Sequence, residues 1–493
     1  MRRLFSDVAP HRTWVAAAAC CLVAARVGSE AVSREWWIGA ASARLDAAVA
    51  PPVWWMLAAL CVATVLVPAP ALHAVPRDAP HATPRRPRHA WVLPALFVVV
   101  AAHAGTQWRG LASPQTGEYS GVAFARSDAQ PRDGAVSLIV EVQGENFRLV
   151  ARGPARGALM RVRMGDALLL DAARHAYDAR RLRFSAGRHV QGELREVTVH
   201  AVAPSRALWH RAANRIHATV DRGSRTMSRD DASLVRGLVL GDESRQPPRM
   251  TEAFRAAGLG HLLAVSGQNV AILLAGLTPA LRRLSRWPRL AAALCIIATF
   301  ALVTRLESSV VRAGVMAGIV QVAYAIGRDV APLRALCLTA MVMVVLDPLA
   351  VWSIGFVLSV AATAGLVVIA PLLGSGIVAA TASAQVAVAP FVVFWFRSMP
   401  AVALATNVLA VPVASGVMMV APPLLLAAAF LPDPLAAWCV APVVVAVRLL
   451  WWVAEWGLRL ALPAWANAAA WLLVAATLAA VVVRRAQHPR ARL

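Results

Sequence analysis

The sequence predicts a polytopic α-helical membrane protein of about eleven or twelve spans that carries a small extracellular β-barrel. Three observations predict it. Of the 493 residues, 59% are hydrophobic, against about half in a soluble globular domain. The excess gathers in runs of roughly 18 to 25 residues, enough to cross a hydrocarbon core about 30 Å thick. Between residues 106 and 205 the apolar runs shorten and turn residues recur, which is the pattern of short strands.

The elements follow in order. A first span covers roughly 14–27. Arg2 and Arg3 precede it, but further spans follow at once, so it reads as an uncleaved helix rather than a secretory signal. Spans near 53–72 and 90–105 complete a three-span region, 1–105. The proline-rich stretch Pro76–Arg88 between them carries several arginines, which places it in the cytoplasm. Three spans from a cytoplasmic N-terminus put the next region, 106–205, outside.

Within that region Val136–Val142, Phe147–Arg152, Leu159–Met164 and Ala167–Leu170 read as strands, with Gly165-Asp166 as a hairpin turn between the last two. Arg181–Phe184 and Val190–Val199 add two more. About five or six short strands make a small barrel, and an OB-type fold suits them. Residues 105–225 carry 19 Arg against 11 Asp and Glu. The arginines on these expected strands, Arg148, Arg152, Arg161, Arg163, Arg181 and Arg183, are the candidate contacts for a polyanion.

Residues 206–257 hold amphipathic and juxtamembrane helices. Leu208–Val220 sets Trp209, Ile216 and Val220 against Arg211, Asn214 and Arg215, as in a helix lying on a membrane surface. A second helix, Asp230–Leu240, ends at Gly241. From 258 to 484 the chain is nearly continuous membrane, with spans near 259–280, 290–304, 308–327, 331–350, 352–373, 377–396, 401–430, 435–460 and 466–483. Arginine clusters after the first, at 328 and 334, and at 484–485 then all fall in the cytoplasm, ahead of a cytoplasmic tail at 485–493.

The charge is +23, and every one of the 49 cations is arginine. A guanidinium fork suits phosphate, although a codon bias against lysine gives the same count. The six cysteines lie in apolar runs, so neither a disulfide framework nor a metal site is indicated.

Residues 258–270 hold the densest chemistry. His261, Ser266, Gln268 and Asn269 sit in an otherwise apolar stretch with Gly258, Gly260 and Gly267. Unpaired polar groups in hydrocarbon cost several kcal/mol each, so a segment with four of them is expected to line something wet. Arg305, Glu307 and Arg312 are either an interfacial ion cluster that anchors two short helices or part of a pore lining. Gln385 and Asn407 are single amides in apolar helices, suited to helix–helix hydrogen bonds or to the same lining. Asp347 reads as a cap or a surface carboxylate.

Catalysis is not expected. His261 is the one histidine between His217 and His488, too few for a two-metal hydrolase. Ser266 and His261 stand five apart on one segment, unlike a protease dyad on facing helices. No phosphate-loop motif is present, and no cofactor is expected.

Several motifs in order resemble the ComEC family of competence DNA-uptake channel proteins. They are Leu240–Glu243 with Phe254–Gly267, Ser309–Met316, Leu346–Pro348 with Gly355–Gly365, and Ala384-Gln385 with Pro390 and Asn407–Pro412. The resemblance covers about residues 230–415. It implies that 258–484 is a competence-type channel domain in a bacterial plasma membrane, which passes single-stranded DNA into the cytoplasm during natural transformation. It implies the OB-like domain as the extracellular DNA-engaging part. A DNA receptor and a cytoplasmic motor protein are then the expected partners beside the lipid bilayer. Two departures stand out. Many members have His where this chain has Asn269, and many carry a C-terminal metallo-β-lactamase-like domain. With that domain not in evidence, a separate nuclease is expected from another polypeptide. Two alternatives remain open on the residues alone: a secondary transporter of a small solute, and a structural envelope protein.

Overall fold

The computed structural model describes residues 11–38 and 92–477, except 133, 264, 375, 397, 398, 464, 468 and 475. Helices α1 (His11–Ile38) and α2 (Val92–Ala112) come first. Strands β1 (Gly117–Ala125), β2 (Gln130–Arg132), β3 (Ala135–Val142) and β4 (Glu145–Ala151) follow. Helix α3 (Pro154–Leu159), strand β5 (Ala167–Ala176), helix α4 (Ala179–Ser185) and strand β6 (Val190–Ala203) complete the mixed region. The rest is helical: α5 (Leu208–Gly223), α6 (Arg229–Leu240), α7 (Pro248–Ala256), α8 (Gly260–Leu263), α9 (Gly267–Leu281), α10 (Arg286–Val303), α11 (Ser308–Ala325) and α12 (Pro332–Leu346). Then come α13 (Ile354–Leu373), α14 (Ile377–Phe396), α15 (Ala403–Ala428) and α16 (Asp433–Arg459). Two units divide these elements.

The first unit takes residues 1–114, 178–189 and 330–354. Helices α1 and α2 approach closely at Gly28, where a side chain would strike the Ala101 carbonyl. The Trp352 ring, on a 3₁₀ turn after α12, organises the packing. The Arg26 guanidinium lies 3.2 Å from its centroid. Trp108 stands 4.9 Å from it on ring centroids, and Trp352 Nε1–H donates to Ser29 Oγ at 2.9 Å. Asp347 caps that turn by accepting from the Leu349 amide at 3.0 Å, the capping role expected of it. His189 reaches the other oxygen of Asp347 at 3.0 Å, and this hydrogen bond raises its pKa from the ordinary imidazole value.

The second unit contains the sheet and the remaining helices. Strand order is β1-β5-β6-β4-β3-β2. Only β4 and β6 run parallel; the other pairs are antiparallel. One face buries Phe147, Leu149, Leu168, Leu170 and Leu194 together with Leu159 of α3. The expected closed barrel is corrected to a six-stranded sheet, because β1 meets β3 over only two residue pairs, Phe124–Glu141 and Ala125–Val140.

Two expected strands are helices. Leu159–Met164 is the end of α3 and the turn after it. Pro154 starts that helix, and the buried Leu159 and Val162 stand three apart, a helical spacing. Arg181–Phe184 lies in α4, where Asp178 accepts from the Arg181 amide at 2.7 Å as an N-cap. Gly165-Asp166 turns no hairpin between neighbours. It joins β1 instead, with Gly165 donating to the Ala125 carbonyl at 2.7 Å. Strand β1 went unforeseen because it is mostly exposed, and its larger apolar residues, Val122 and Phe124, face outward while the buried positions are alanines.

Six helices among the described residues are long and apolar enough to cross a membrane: α10, α11, α13, α14, α15 and α16. Helices α9 and α12 are apolar but shorter. The expected span near 14–27 falls inside α1, that near 90–105 mostly inside α2, and that near 53–72 outside the described residues. The chain thus has the build of a multi-pass membrane protein. The amphipathic α5 is not simply laid on a surface. Ala213, His217, Val220 and Gly223 are buried, with Gly223 against the Leu425 carbonyl of α15, while Leu208 and Trp209 remain exposed.

Two expectations follow. Phe147→Ala empties a fully buried site and costs roughly 3–5 kcal/mol, read as a lowered melting temperature of the full chain in detergent. The His189–Asp347 contact stabilises the first unit fully below the ordinary histidine pKa of about 6.5. Because the folded value is raised, that contribution is lost as pH rises through it. His189→Gln therefore narrows the gap in melting temperature between pH 6 and pH 8.

Candidate functional site

The site is the break between α8 and α9. Gly258 adopts φ 72° and packs directly on Ala403 of α15, so the chain enters the bundle without room for a side chain. Helix α8 lasts one turn. Ser266 is extended (φ −103°, ψ 161°) at the cap of α9, and its side chain makes no capping bond. A break at membrane depth frees backbone groups that need partners inside the protein.

A neighbouring side chain meets one of them, and further polar contacts gather around the break. Ser309 Oγ, on α11, donates to the Val265 carbonyl at 2.9 Å. Asn269 Nδ2 donates at 3.2 Å to the carbonyl of Leu238, one of the last-turn carbonyls of α6 that has no helical donor. Ser266 Oγ faces Asn269 Oδ1 at 3.4 Å. Gln268 Nε2 donates to Ser415 Oγ of α15 at 3.0 Å. The Arg312 guanidinium, on α11, lies against Gly267, where an added Cβ would come within 2.7 Å of Nη2. Its Nε donates to Ser359 Oγ of α13 at 2.6 Å. Ser266, Gln268, Asn269 and Ser415 also border a cavity of about 10 Å³ between α6, α8, α9 and α15, room for about one water molecule.

The structure therefore brings together Ser266, Gln268, Asn269 and Arg312. His261 stands exposed on α8. Gln385 in α14 and Asn407 in α15 are both buried. Asn407 Nδ2 donates to the Ala403 carbonyl at 2.7 Å, while the side-chain oxygens of both amides have no hydrogen-bond partner. Ser309, Ser359 and Ser415 complete the site. Ser309 and Ser359 lie inside the motif blocks noted in the sequence, but serines are too common in apolar helices to single out by type.

Arg305 belongs to a different assembly. It has φ 60° on the turn between α10 and α11. It pairs with Asp128 at 2.9 Å and donates to Asn214 Oδ1 of α5 at 2.7 Å. Asp128 also faces Arg163 at 3.9 Å, and Arg163 reaches Asp221 of α5 at 3.3 Å. Asp221 pairs in turn with Arg236 at 2.7 Å. His217 Nε2–H donates to the Val303 carbonyl at 2.8 Å. Burial, and then the Arg305 charge, lower its pKa. This cluster ties the sheet to α5, α6 and the α10–α11 turn. Glu307 is exposed, and its carbonyl accepts from the Val310 and Val311 amides at 2.9 Å to start α11.

The six arginines expected to meet a polyanion separate. Arg148 on β4, Arg152 after it and Arg161 after α3 are exposed. Exposed Arg156 joins them, and residues 146–165 contain no Asp or Glu. Arg163 is committed to Asp128 and Asp221. Arg181 and Arg183 lie on α4, in the first unit.

Comparison with known proteins bears on the same segment. A family model described as Competence protein matches residues 238–487. ComE operon protein 3 of Bacillus subtilis (strain 168) is 27% identical over 192 residues, covering 37% of this chain and 25% of that protein. The match thus takes in about a quarter of the relative's length. No solved structure matches.

Arg305→Ala leaves the half-buried Asp128 without its closest cation, with Arg163 still 3.9 Å away, and is expected to destabilise the chain by roughly 1–3 kcal/mol. Glu307→Ala, at an exposed position, stays within about 0.5 kcal/mol. Melting of the two variants side by side checks the contrast.

Proposed function

The chain belongs to the competence protein family, and from that premise we propose that it forms the membrane passage through which single-stranded DNA enters the cytoplasm during natural transformation. The observation that carries this reading is a coincidence of place. The stretch matched by the family, residues 238–487, is the one that holds the broken helix and its partners Arg312, Ser359 and Ser415. Family membership itself indicates a role in DNA uptake. The finer role, a channel for one strand, rests on the chemistry of the break. A polyanion crossing hydrocarbon needs groups that replace its water, and polar side chains on interrupted helices supply them.

We read the sheet as an OB-type module. The order β1-β5-β6-β4-β3, the return pairing of β1 with β3 and the parallel β4–β6 pair support this, as does a helix between β4 and β5. Arg148, Arg152, Arg156 and Arg161 give it an exposed basic run that fits a phosphate backbone. On this reading the module stands outside the plasma membrane, both termini are cytoplasmic, and a receptor, a nuclease and a motor act with the chain.

The cavity at the break has room for about one water molecule, so strand passage requires α9 and α15 to part. The same small size favours a transporter of a small solute as the second reading. Deletion of the gene in a transformable host separates the two. Loss of transformation to background, restored by the wild-type gene, supports DNA passage; undiminished transformation rejects it. Asn269→Leu, which removes the cap on α6 and a polar lining group, lowers transformation frequency without loss of membrane insertion. Replacing Arg148, Arg152, Arg156 and Arg161 by Gln weakens binding of a single-stranded oligonucleotide to the full chain in nanodiscs. The slope of log affinity against log salt shrinks by about 0.7 for each phosphate contact removed.

A further inference from the structure

Arg312 is a buried cation without a counter-charge. It is 5% exposed, and among the described residues no carboxylate lies within ion-pair distance. The buried arginines elsewhere in the chain differ. Arg236 pairs with Asp221 and Arg26 with Glu30.

The surroundings of Arg312 make the imbalance larger. Its guanidinium lies on Gly267, the first residue of α9. Arg312 itself stands just after the first turn of α11. Two helix N-termini, each equivalent to roughly half a positive charge, therefore flank a full positive charge. Neither is capped by a side chain. The caps are Ser266 and Glu307, and each lacks a side-chain capping bond. Glu307 could have supplied the missing negative charge, but it is exposed and forms no ion pair among the described residues. Gly267 keeps the approach narrow, because a Cβ there would also come within 2.9 Å of Ala313 Cβ and 3.2 Å of the Ser309 carbonyl.

We propose that Arg312, Gly267 and Ser359 form a binding site for a single phosphate-class oxyanion. The charge argument fixes the sign of the ligand. A desolvated guanidinium costs several kcal/mol unless it is compensated, and the two helix N-termini add to the positive potential, against which it has the neutral Ser359 Oγ as acceptor. The donor set points to the class. A planar fork matches two oxygens of a tetrahedral oxyanion, the Ser359 hydroxyl accepts from Arg312 Nε at 2.6 Å and keeps its own proton to donate, and helix N-termini bind phosphate groups through their amides. The contacts carry no base information, so the site takes any phosphodiester. This inference rests on the DNA-passage reading for its physiological ligand: one backbone phosphate of the strand at a time. A lipid headgroup or free phosphate offers the same chemistry.

The test uses the full chain in nanodiscs of zwitterionic lipid, with inorganic phosphate as the probe and chloride holding ionic strength constant. Phosphate raises the melting temperature saturably, as a ligand of the folded state does. Arg312→Gln abolishes the rise. Arg312→Lys, which keeps the charge and loses the fork, raises the half-saturating phosphate concentration about tenfold, a change of about 1.4 kcal/mol. No phosphate-specific rise in the wild type, or an equal rise in Arg312→Gln, overturns the site. Two further arms identify the source. If a single-stranded oligonucleotide displaces phosphate, the ligand is the strand. If phosphatidylglycerol in the nanodisc abolishes the response instead, the ligand is a headgroup. Transformation of the Arg312→Gln strain separates this site from the broader reading. Normal transformation with phosphate binding lost rejects a DNA ligand but keeps the site; lost transformation without phosphate binding in the wild type rejects the site and keeps DNA passage.

Discussion

In a hydrocarbon medium every backbone amide and carbonyl needs a partner within the protein, and the break at 265–266 exists under that constraint. A straight helix would meet the requirement by itself. This chain interrupts the helix and then meets the requirement with side chains: Ser309 on the Val265 carbonyl and Asn269 on the Leu238 carbonyl. The repair draws α6 and α11 onto the start of α9, and Gln268 adds α15 through Ser415. Glycine is required at two of these points. Gly258 takes a left-handed backbone, and Gly267 lies under Arg312. The polar groups that mark the segment in the sequence are thus its structural closure as well as its candidate chemistry.

A second polar assembly holds the sheet to the helices of its own unit. Asp128 and Asp221 each face two or more arginines, and the turn that presents Arg305 has consecutive residues, Arg305 and Leu306, at positive φ. Left-handed conformations at non-glycine residues are unfavourable unless the surroundings enforce them. Here the enforcement is visible: Asp128 and Asn214 hold the Arg305 side chain, and His217 holds the Val303 carbonyl at the end of α10. The assembly thus fixes the turn that leads into α11, whose first residue, Ser308, stands four before Arg312.

Much of this was legible in the sequence, for reasons that are local. Apolar runs of spanning length gave α10, α11, α13, α14, α15 and α16, because hydrophobic length is read over consecutive residues. The polar break at 265–266 was signalled by glycines and amides in an apolar run. What could not be read was long-range. Nothing in the sequence pairs Arg305 with Asp128, 177 residues earlier, or distinguishes Arg163, which is spent on internal pairs, from Arg161, which is exposed. The segment Arg181–Phe184 alternates polar and apolar residues over four positions, too few to separate a strand from the capped helix that it forms. Strand β1 has no strong apolar alternation and is recruited by the edges of β3 and β5 rather than by its own pattern.

The central claim is that a DNA strand passes along the start of α9. Site-specific photo-crosslinking during uptake tests it most directly. A photoreactive residue at position 268 is compared with one at 445, an exposed position on the apolar surface of α16, in transforming cells given DNA that stalls in entry. The account predicts a DNA adduct from 268 and none from 445. Uptake that proceeds normally with no adduct at 268 contradicts it.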